Sequence, residues 1–529
     1  MPATDTQNEP LALEPLAIGA VAPGQAWWTA LLAAAALYAA TLAPGVLWGD
    51  SGEAQLHVYL GGWYVNGEIV RSHVVYYAVA RGLGWLWALP AALAGNVTSA
   101  VMGALTVANV AWLAARLLRE RVSVVAATGM LALAHTHWQL STSAEVVTTS
   151  SALLTAELIF LVRAVQTHRV RFVVLTMLAN GLGVSNHNFA LLMWPVYALV
   201  ALRWQRTFAR RRTQALLGAG GGLLLGMAPV LVLGVHDWLA RGSLAGTLES
   251  FLVGHYGRHV ANLERLPALA ARAGLAALLN FPTPLWLLVV PGSIRLYRRS
   301  AGPVWWVLGG ATAVHLAFVC RYDVPDQHTF LAPVCTLLAL FLAAGVDACV
   351  AWRGARAVRV LLLLLAVPAP AVYAALPTLL RKHAAELTII PTRPVPYRDP
   401  WTWFVRPWRR GYDGADRFAR ETLAALPQGA LLVVDATLCP PLNYVQAVDG
   451  LRRDVRLDCW IARQAWLEAV ETDEAWTTLR GTKCAAGLLF TTAIPPQNTP
   501  QWLRDWHAGG RVRCEPVGHV YRVVPTAGF

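Results

Sequence analysis

Long apolar stretches separated by short polar turns run through most of this 529-residue chain. Most of them are close to the roughly 20 residues that a helix needs to cross a bilayer. They lie near residues 27–47, 76–94, 97–115, 122–139, 147–162, 171–185, 189–202, 215–235, 273–294, 303–320, 329–351 and 357–379. The pattern predicts a polytopic α-helical membrane protein and argues against a purely soluble enzyme.

Arginine clusters predict which turns face the cytoplasm, because cytoplasmic loops carry an excess of basic residues. Five turns hold most of the clustered arginines: 116, 119 and 121; 163, 169 and 171; 203, 206, 210, 211 and 212; 295, 298 and 299; 353, 356 and 359. If segment 76–94 lies in the membrane interface, the opposite loops hold only Arg71, Arg81, Arg241, Arg258, Arg265, Arg272 and Arg321. We therefore expect about 11 transmembrane helices within a membrane domain spanning 27–380. Residues 1–26 form a cytoplasmic tail, and 48–96 form the first non-cytoplasmic loop.

The composition changes near residue 381, where a polar, proline-rich linker over 381–410 begins. Residues 411–529 alternate helical and strand-like segments, which predicts a small α/β domain with a mainly parallel sheet. In the topology with 11 crossings, this domain lies outside the cytoplasm. Its four cysteines could form two disulfides in three alternative pairings or remain thiols; they are Cys439, Cys459, Cys484 and Cys514.

Composition supports the membrane assignment and changes how the net positive charge of the chain is interpreted. The chain is 56% hydrophobic and only 14% charged, with a formal net charge of +13. In a soluble protein that charge would suggest nucleic-acid binding. Here the arginines lie between apolar segments, so we expect the lipid bilayer as a partner and no nucleic acid. We also find no phosphate-binding glycine loop and no zinc motif.

The most distinctive polar motif is the run from Trp48 to Glu53, which follows the first apolar segment. Its carboxylates, Asp50 and Glu53, are three residues apart, so a helical turn would place both on one face. A carboxylate in an apolar cleft can act as a general base toward a hydroxyl group. The alternative is a helix cap, in which Asp50 or Ser51 holds backbone amides and Glu53 completes the capping box.

Three further polar loops open on the same predicted side as Asp50. They contain Glu145, His187, and the stretch from Arg321 to His328 with Tyr322, Asp323 and Asp326. Four polar loops on one side suggest a shared cavity. A phosphate bound there would need an arginine, for which Arg258 and Arg321 are the favoured candidates. The alternatives are a helix cap for Glu145, a solvated loop for His187, and lipid headgroup contact for the arginines.

Several of these stretches together resemble GT-C membrane glycosyltransferases of the protein O-mannosyltransferase-like family. The similar stretches are Leu42–Glu53, with its Asp-Ser-Gly-Glu motif, and 137–145, 181–187, 322–333, 429–434 and 443–455. The chain departs from the family after the acidic motif. Where the family usually has a His-Pro-Pro-Gly segment, this sequence retains His73 but has Val74 and Val75 in place of the prolines.

The resemblance implies an inverting transferase that uses a polyprenyl-phosphate-linked, mannose-like sugar donor on the non-cytoplasmic face. Asp50 would be the general base toward a hydroxyl acceptor, and Glu53 would orient Asp50 or the acceptor. The implied substrate-binding residues are His73, Glu145, His187, Arg258, Arg321, Tyr322 and Asp326. No cofactor is required. Some GT-C enzymes use a divalent cation, but we see too few acids here to require one.

The acceptor is expected to be a protein, with a lipid or cell-envelope glycan as the alternative. Two other functions stay open on the sequence: a transporter of lipid-linked sugar and an inactive scaffold that uses the tail for binding. Transporters tend to have paired halves and charges at the membrane midplane, and this chain has neither. The high content of alanine, arginine and tryptophan suggests a bacterial inner membrane with the site on the periplasmic side.

Overall fold

The computed structural model describes residues 21–65, 67–203, 211–260, 262–299, 303–353, 356–383, 394–459 and 473–527. Its amino-terminal half is helical. Helices α1 to α10 cover Pro23–Thr41, Gly49–Leu60, Val74–Trp87, Ala91–Leu117, Arg121–Ala132, His135–Ser141, Val147–Thr167, Val170–Asn186, Trp194–Arg203 and Arg212–Arg241. Helices α11 to α18 cover Leu244–Leu252, Gly257–Val260, Leu266–Asn280, Val289–Arg299, Pro303–Val319, Ala332–Arg353, Arg356–Ala366 and Ala369–Lys382.

Four helical segments in the described residues are long and apolar enough to cross a membrane by themselves. They are Ala91–Leu117, Val147–Thr167, Arg212–Arg241 and Gln327–Trp352. The number rises to six if each of two bent helix pairs counts as one span. Four shorter apolar helices accompany them: Arg121–Ala132, Val170–Asn186, Asn188–Leu202 and Val304–Val319. The expected count of about 11 crossings therefore stays a prediction.

Two segments that the sequence pattern treats as single spans are bent by more than 40° in the structure. Within 273–294, the helices Leu266–Asn280 and Pro284–Arg299 meet at 107°. Pro282 and Pro284 lie at this bend, and a proline interrupts a helix because it lacks the backbone N–H and clashes with the preceding turn. Within 357–379, the bend is 42° and lies beside Pro368.

The largest apolar core joins α1, α4, α5, α7 and α16. Its fully buried members include Tyr38, Leu113, Leu131, Leu158 and Leu340.

The segment 76–94, predicted to lie in the interface, forms the short helix α3 and the start of α4. Trp85 at the end of α3 is 85% exposed, as expected for a residue that faces lipid or the membrane surface.

The carboxy-terminal region contains helices around a five-stranded sheet. Helices α19 to α23 cover Pro400–Val405, Gly414–Ala425, Cys439–Asp449, Asp473–Ala485 and Gln501–Ala508. Strands β1 to β5 cover Leu431–Val434, Arg456–Cys459, Leu489–Thr491, Val512–Val517 and Val520–Pro525, in the order β2-β1-β3-β5-β4. A small sheet with helices beside it therefore lies near the carboxy terminus.

The sheet is mixed, which corrects the expectation of a mainly parallel one. Strand β1 pairs in parallel with β2 and β3, whereas β5 runs antiparallel to both β3 and β4. Strands β4 and β5 form a hairpin. Gly518, with φ of +58°, lies in its turn, and glycine adopts this left-handed conformation without steric cost.

One disulfide joins Cys439 to Cys459, while Cys484 and Cys514 are thiols.

The carboxy-terminal region packs on the end of the helices from which the first loop emerges. The backbone N–H of Arg409 donates to the carbonyl oxygen of Thr41, the last residue of α1, at 2.9 Å. The hydroxyl of Tyr444 accepts a bond from the Ala92 N–H at 3.0 Å, at the start of α4. The sheet region and the first loop are therefore neighbours.

Candidate active site

The acidic motif forms the beginning of α2. Gly49 has a φ of +55°, a conformation that residues with a Cβ atom rarely adopt, and this turn places Asp50 in the first helical turn. Neither Asp50 nor Ser51 caps the helix, because the N-cap position is Trp48 and no side-chain cap bond forms. The capping alternative therefore does not describe this motif.

The remaining motif residues are held by different neighbours. The Ser51 hydroxyl donates to Oε1 of Glu145 at 2.7 Å. The guanidinium of Arg71 donates to both carboxylate oxygens of Glu53, at 2.7 and 2.8 Å. A Cβ atom on Gly52 would lie 2.4 Å from the carbonyl oxygen of Leu47, so only glycine fits there. These contacts fix the helix around Asp50.

Asp50 opens into a cavity of about 290 Å³ that the polar loops enclose together. Most of the residues expected at the site line it: Asp50, Glu53, His73, Glu145, His187, Tyr322 and Asp326. They come from α2, the start of α3, the start of α7, the end of α8 and the loop after α15. The fold thus brings residues that are far apart in the sequence to one place.

Asp50 has no hydrogen-bond partner among the described residues, and its side chain is accessible within the cavity. Enclosure by the surrounding protein, together with the neighbouring Asp326 and Glu53 carboxylates, raises the pKa of Asp50 to about 7. Arg71 acts in the opposite direction. Desolvation likewise raises the pKa of Glu145 to about 8. A carboxyl group that titrates near neutrality suits proton transfer.

Two histidines stack against each other on the cavity wall. The rings of His73 and His187 are 5.4 Å apart and inclined by only 14°. Nδ1 of His73 donates to the carbonyl of Asn186 at 2.8 Å, while Nδ1 of His187 accepts from the Phe189 N–H at 3.1 Å. Burial lowers the pKa of His73 to about 4 and that of His187 to about 3, so both rings are neutral at pH 7. A neutral ring donates through one nitrogen and accepts through the other, so the remaining Nε2 is an acceptor on His73 and a donor on His187.

An aromatic wall completes the cavity beside the loop after α15. The Tyr322 ring lies 4.8 Å from the ring of Phe330 and 5.1 Å from that of Phe318, both in the cavity lining. In the same loop, Asp326 faces the cavity, whereas Asp323 pairs with Arg265 at 2.7 Å. The two aspartates of this loop therefore have different surroundings.

The arginine that reaches the cavity is not one that the sequence favours. Arg321 is exposed and is not part of the cavity lining, and the side chain of Arg258 lies outside the described residues. Arg71 lines the cavity instead, together with Tyr77 and Tyr256. The sequence contains a signal for Arg71, because it is one of few basic residues in the non-cytoplasmic loops and lies two residues before His73.

The described part of the cavity lining has four carboxyl groups and one arginine: Asp50, Glu53, Glu145, Asp326 and Arg71. Among the described residues, no group of three or more His, Cys, Asp or Glu side chains is arranged to hold a metal ion.

Comparison with known proteins agrees with this architecture. Residues 74–209 match the family model described as the protein O-mannosyl-transferase TMEM260 N-terminal domain. The predicted resemblance is confirmed. The matched range includes Glu145 and His187, while the acidic motif and His73 precede it.

The chain is also similar in fold to the GT-C glycosyltransferase ArnT from Cupriavidus metallidurans, whose crystal structure in the apo state is known. The two are 16% identical with a TM-score of 0.58, over 95% of this chain and 98% of that one. No curated protein matches this sequence significantly. The family match and the fold support a multi-pass membrane glycosyltransferase of the GT-C type.

Proposed function

We propose that this protein is an inverting glycosyltransferase that moves a mannose-like sugar from a polyprenyl-phosphate donor to a hydroxyl acceptor on a protein. The observation that carries the proposal is Asp50, a carboxylate without a hydrogen-bond partner in the described structure, facing a cavity lined by aromatic and histidine side chains. The family match and the GT-C fold support the same class of reaction.

In this reaction Asp50 takes the proton of the acceptor hydroxyl. The acceptor oxygen then bonds to the anomeric carbon as the bond from that carbon to the donor phosphate breaks. The electron pair of the broken bond leaves with the polyprenyl phosphate. Attack from the face opposite the phosphate inverts the configuration. With a pKa of about 7, a large fraction of Asp50 is ionised near neutral pH, and the carboxylate is still basic enough to accept the hydroxyl proton.

Arg71 is suited to the leaving phosphate. One terminal nitrogen of its guanidinium holds both oxygens of Glu53, and its other nitrogens make no hydrogen bond to the described residues. Those nitrogens can donate to a phosphate, whose charge grows as the glycosidic bond breaks. Glu53 in turn keeps Arg71 in place, so we assign it a positioning role rather than the base.

The stacked histidines are suited to sugar hydroxyl groups. Nε2 of His187 can donate a hydrogen bond, and Nε2 of His73 can accept one. A sugar hydroxyl can satisfy either nitrogen. Tyr322 and Phe330 offer apolar ring surfaces for the carbon face of the sugar. We assign Glu145 to the same subsite, where it orients the first turn of α2 through Ser51.

The disulfide supports a site on the non-cytoplasmic side, which is the periplasm if the membrane is the inner membrane of a bacterium. Disulfides persist in oxidising compartments and are rare in the cytosol. Cys439 and Cys459 belong to the region that packs beside the first loop, so the cavity and the disulfide lie at the same end of the helices. The arginine distribution independently favours this orientation.

The proposal is tested by sugar transfer in membranes supplied with labelled polyprenyl-phosphate mannose. Wild type is compared with Asp50→Asn, Glu53→Gln and the matched control Asp323→Asn, which changes an acid of the same face that pairs with Arg265 outside the cavity. We expect at least a hundredfold loss for Asp50→Asn, a smaller loss for Glu53→Gln and wild-type transfer for Asp323→Asn.

The labelled product identifies the acceptor as protein, lipid or glycan. Equal label in wild type and Asp50→Asn would remove Asp50 as the base. If the wild type transfers no mannose, the same comparison with other polyprenyl-phosphate sugars decides whether the protein is a transferase with a different donor. No transfer from any of them would contradict the proposal.

A further inference from the structure

The carboxy-terminal region holds the two residues that precede Asp50. The Gly49 N–H donates to the carbonyl oxygen of Thr437 at 3.0 Å. Trp48 is buried, its Nε1 donates to the hydroxyl of Tyr412 at 2.6 Å, and its ring lies 5.3 Å from that of Phe418. Trp48 therefore belongs to the apolar core of the carboxy-terminal region although it lies in the first loop of the membrane domain.

The same region also contacts the acidic motif from the other side of Asp50. A Cβ atom on Gly52 would lie 3.0 Å from Cβ of Pro440, which shows how closely α2 and α21 approach. Helix α21 begins at Cys439, and the disulfide ties this residue to Cys459 at the end of β2. The segment that touches Gly49 and Gly52 is thus anchored to the sheet.

These contacts bracket the one residue of the motif that faces the cavity without a partner in the described structure. Ser51 and Glu53 bond to other cavity residues, Glu145 and Arg71, which substrate binding would itself affect. The contacts from Thr437 and Tyr412 lie outside the cavity and are independent of the substrate. They are the contacts that can set the position of Asp50 before substrate binds.

We propose that the carboxy-terminal sheet region is a positioning element of the active site, which holds Asp50 in place through Trp48 and Gly49. This inference rests on the proposed function, because it assigns Tyr412 a role in the reaction of Asp50. Tyr412 does not line the cavity, so it is a positioning residue. A displacement of a catalytic group by about 1 Å can reduce a rate by as much as a hundredfold.

The test uses the full-length protein and the variant Tyr412→Phe, which removes the hydroxyl bonded to Trp48 and retains the ring. The matched control is Tyr397→Phe, because the Tyr397 hydroxyl bonds to Glu421 and His519 within the same region and not to Trp48. We expect Tyr412→Phe to lower kcat about tenfold with an unchanged KM for the labelled donor, and Tyr397→Phe to behave as wild type. If a substitution only reduces the amount of folded protein, the yield of that variant falls but its kcat per folded molecule does not change.

A second measurement does not depend on activity. Hydrogen exchange followed by mass spectrometry reports the Gly49 amide in peptides that cover the first turn of α2. We expect faster exchange there in Tyr412→Phe and in the double variant Cys439→Ser/Cys459→Ser, and wild-type exchange in Tyr397→Phe. The double variant tests the anchoring of α21, and Tyr412→Phe keeps the test available if that variant fails to fold.

Wild-type exchange and wild-type kcat in folded Tyr412→Phe would overturn the inference. An increase in donor KM with an unchanged kcat would also overturn it, because that result would place the region in donor binding. A wild-type protein that transfers no sugar would instead contradict the proposed function, while the exchange measurement would still decide whether this contact positions Asp50.

Discussion

Asp347 and Asp50 are two acids within the helical part of the chain, and they differ in how their charges are satisfied. Asp347 is fully buried, accepts bonds from the N–H groups of Arg119 and Glu120 at 2.8 and 2.9 Å, and pairs with Arg295 at 2.9 Å. Asp50 has no such partner in the described structure and faces other carboxylates across a cavity. A fully paired acid joins structural elements, whereas an acid without a hydrogen-bond partner in a cavity is available for chemistry.

The largest effect on stability should come from the paired acid. Asp347→Ala leaves the Arg295 charge and two backbone N–H groups without a partner, which we expect to cost about 3–5 kcal/mol of unfolding free energy. Thermal unfolding in detergent measures this loss, and transfer per folded molecule should remain at the wild-type level. A stable Asp347→Ala protein that has lost transfer would reverse the roles assigned to the two acids.

The next effect concerns the packing that fixes Asp50. Gly52→Ala places a methyl group 2.4 Å from the carbonyl oxygen of Leu47, so the first turn of α2 must move, at a cost of about 1–3 kcal/mol. We expect a lower unfolding temperature together with a lower kcat. Gly45→Ala is the matched control, because an added Cβ there meets no atom within 4 Å. Equal behaviour of the two variants would show that the motif glycine is not needed for packing.

A smaller effect is expected at the arginine of the cavity. Arg71→Gln removes the charge next to Glu53, so we expect about a tenfold higher KM for the polyprenyl-phosphate donor, equivalent to about 1.4 kcal/mol. Steady-state kinetics measure it, and Arg265→Gln, which changes an exposed arginine outside the cavity, should leave the KM unchanged. An unchanged KM in Arg71→Gln would assign the donor phosphate to another group.

The last effect is the pH-dependent stability cost of Asp50 itself. Its pKa of about 7 lies above the value of about 4 in an unfolded chain, so the folded state holds the proton more tightly. The folded state is therefore penalised progressively as the pH rises from about 4 to 7. The side chain in Asp50→Asn does not titrate and escapes this penalty. The unfolding temperature of this variant should therefore rise relative to that of wild type between pH 5 and pH 8. A difference that stays constant with pH would show that the pKa of Asp50 is ordinary.

The sequence predicts the class of fold and much of the cavity because both depend on local patterns. Apolar length indicates membrane helices, and the acidic motif, Glu145 and His187 stand out as polar residues beside apolar segments. The bend between Asn280 and Pro284 was missed because proline occurs in loops, at helix starts and at helix kinks, and the local sequence does not distinguish these three cases. The antiparallel hairpin at Gly518 departs from the expected mainly parallel sheet because a tight turn reverses the chain between β4 and β5.

The choice of arginine depends on tertiary contacts that the sequence pattern does not contain. Arg321 and Arg71 are both basic residues near other motif residues, but only the folded chain brings Arg71 beside Glu53. The role of Trp48 is a similar case. Nothing in its neighbouring residues indicates that Tyr412, more than 350 positions later, accepts its hydrogen bond.

The pH dependence of kcat tests the central claim most directly, with saturating donor and acceptor and with protein shown to remain folded at each pH. The groups that act on Asp50 are Glu53, Glu145, Asp326 and Arg71. Because the base must be ionised, we predict that kcat rises about tenfold per pH unit below pH 7 and levels off above it, and that the residual rate of Asp50→Asn lacks this rise. A wild-type kcat that is constant from pH 5.5 to pH 8 would contradict the assignment of Asp50 as the general base.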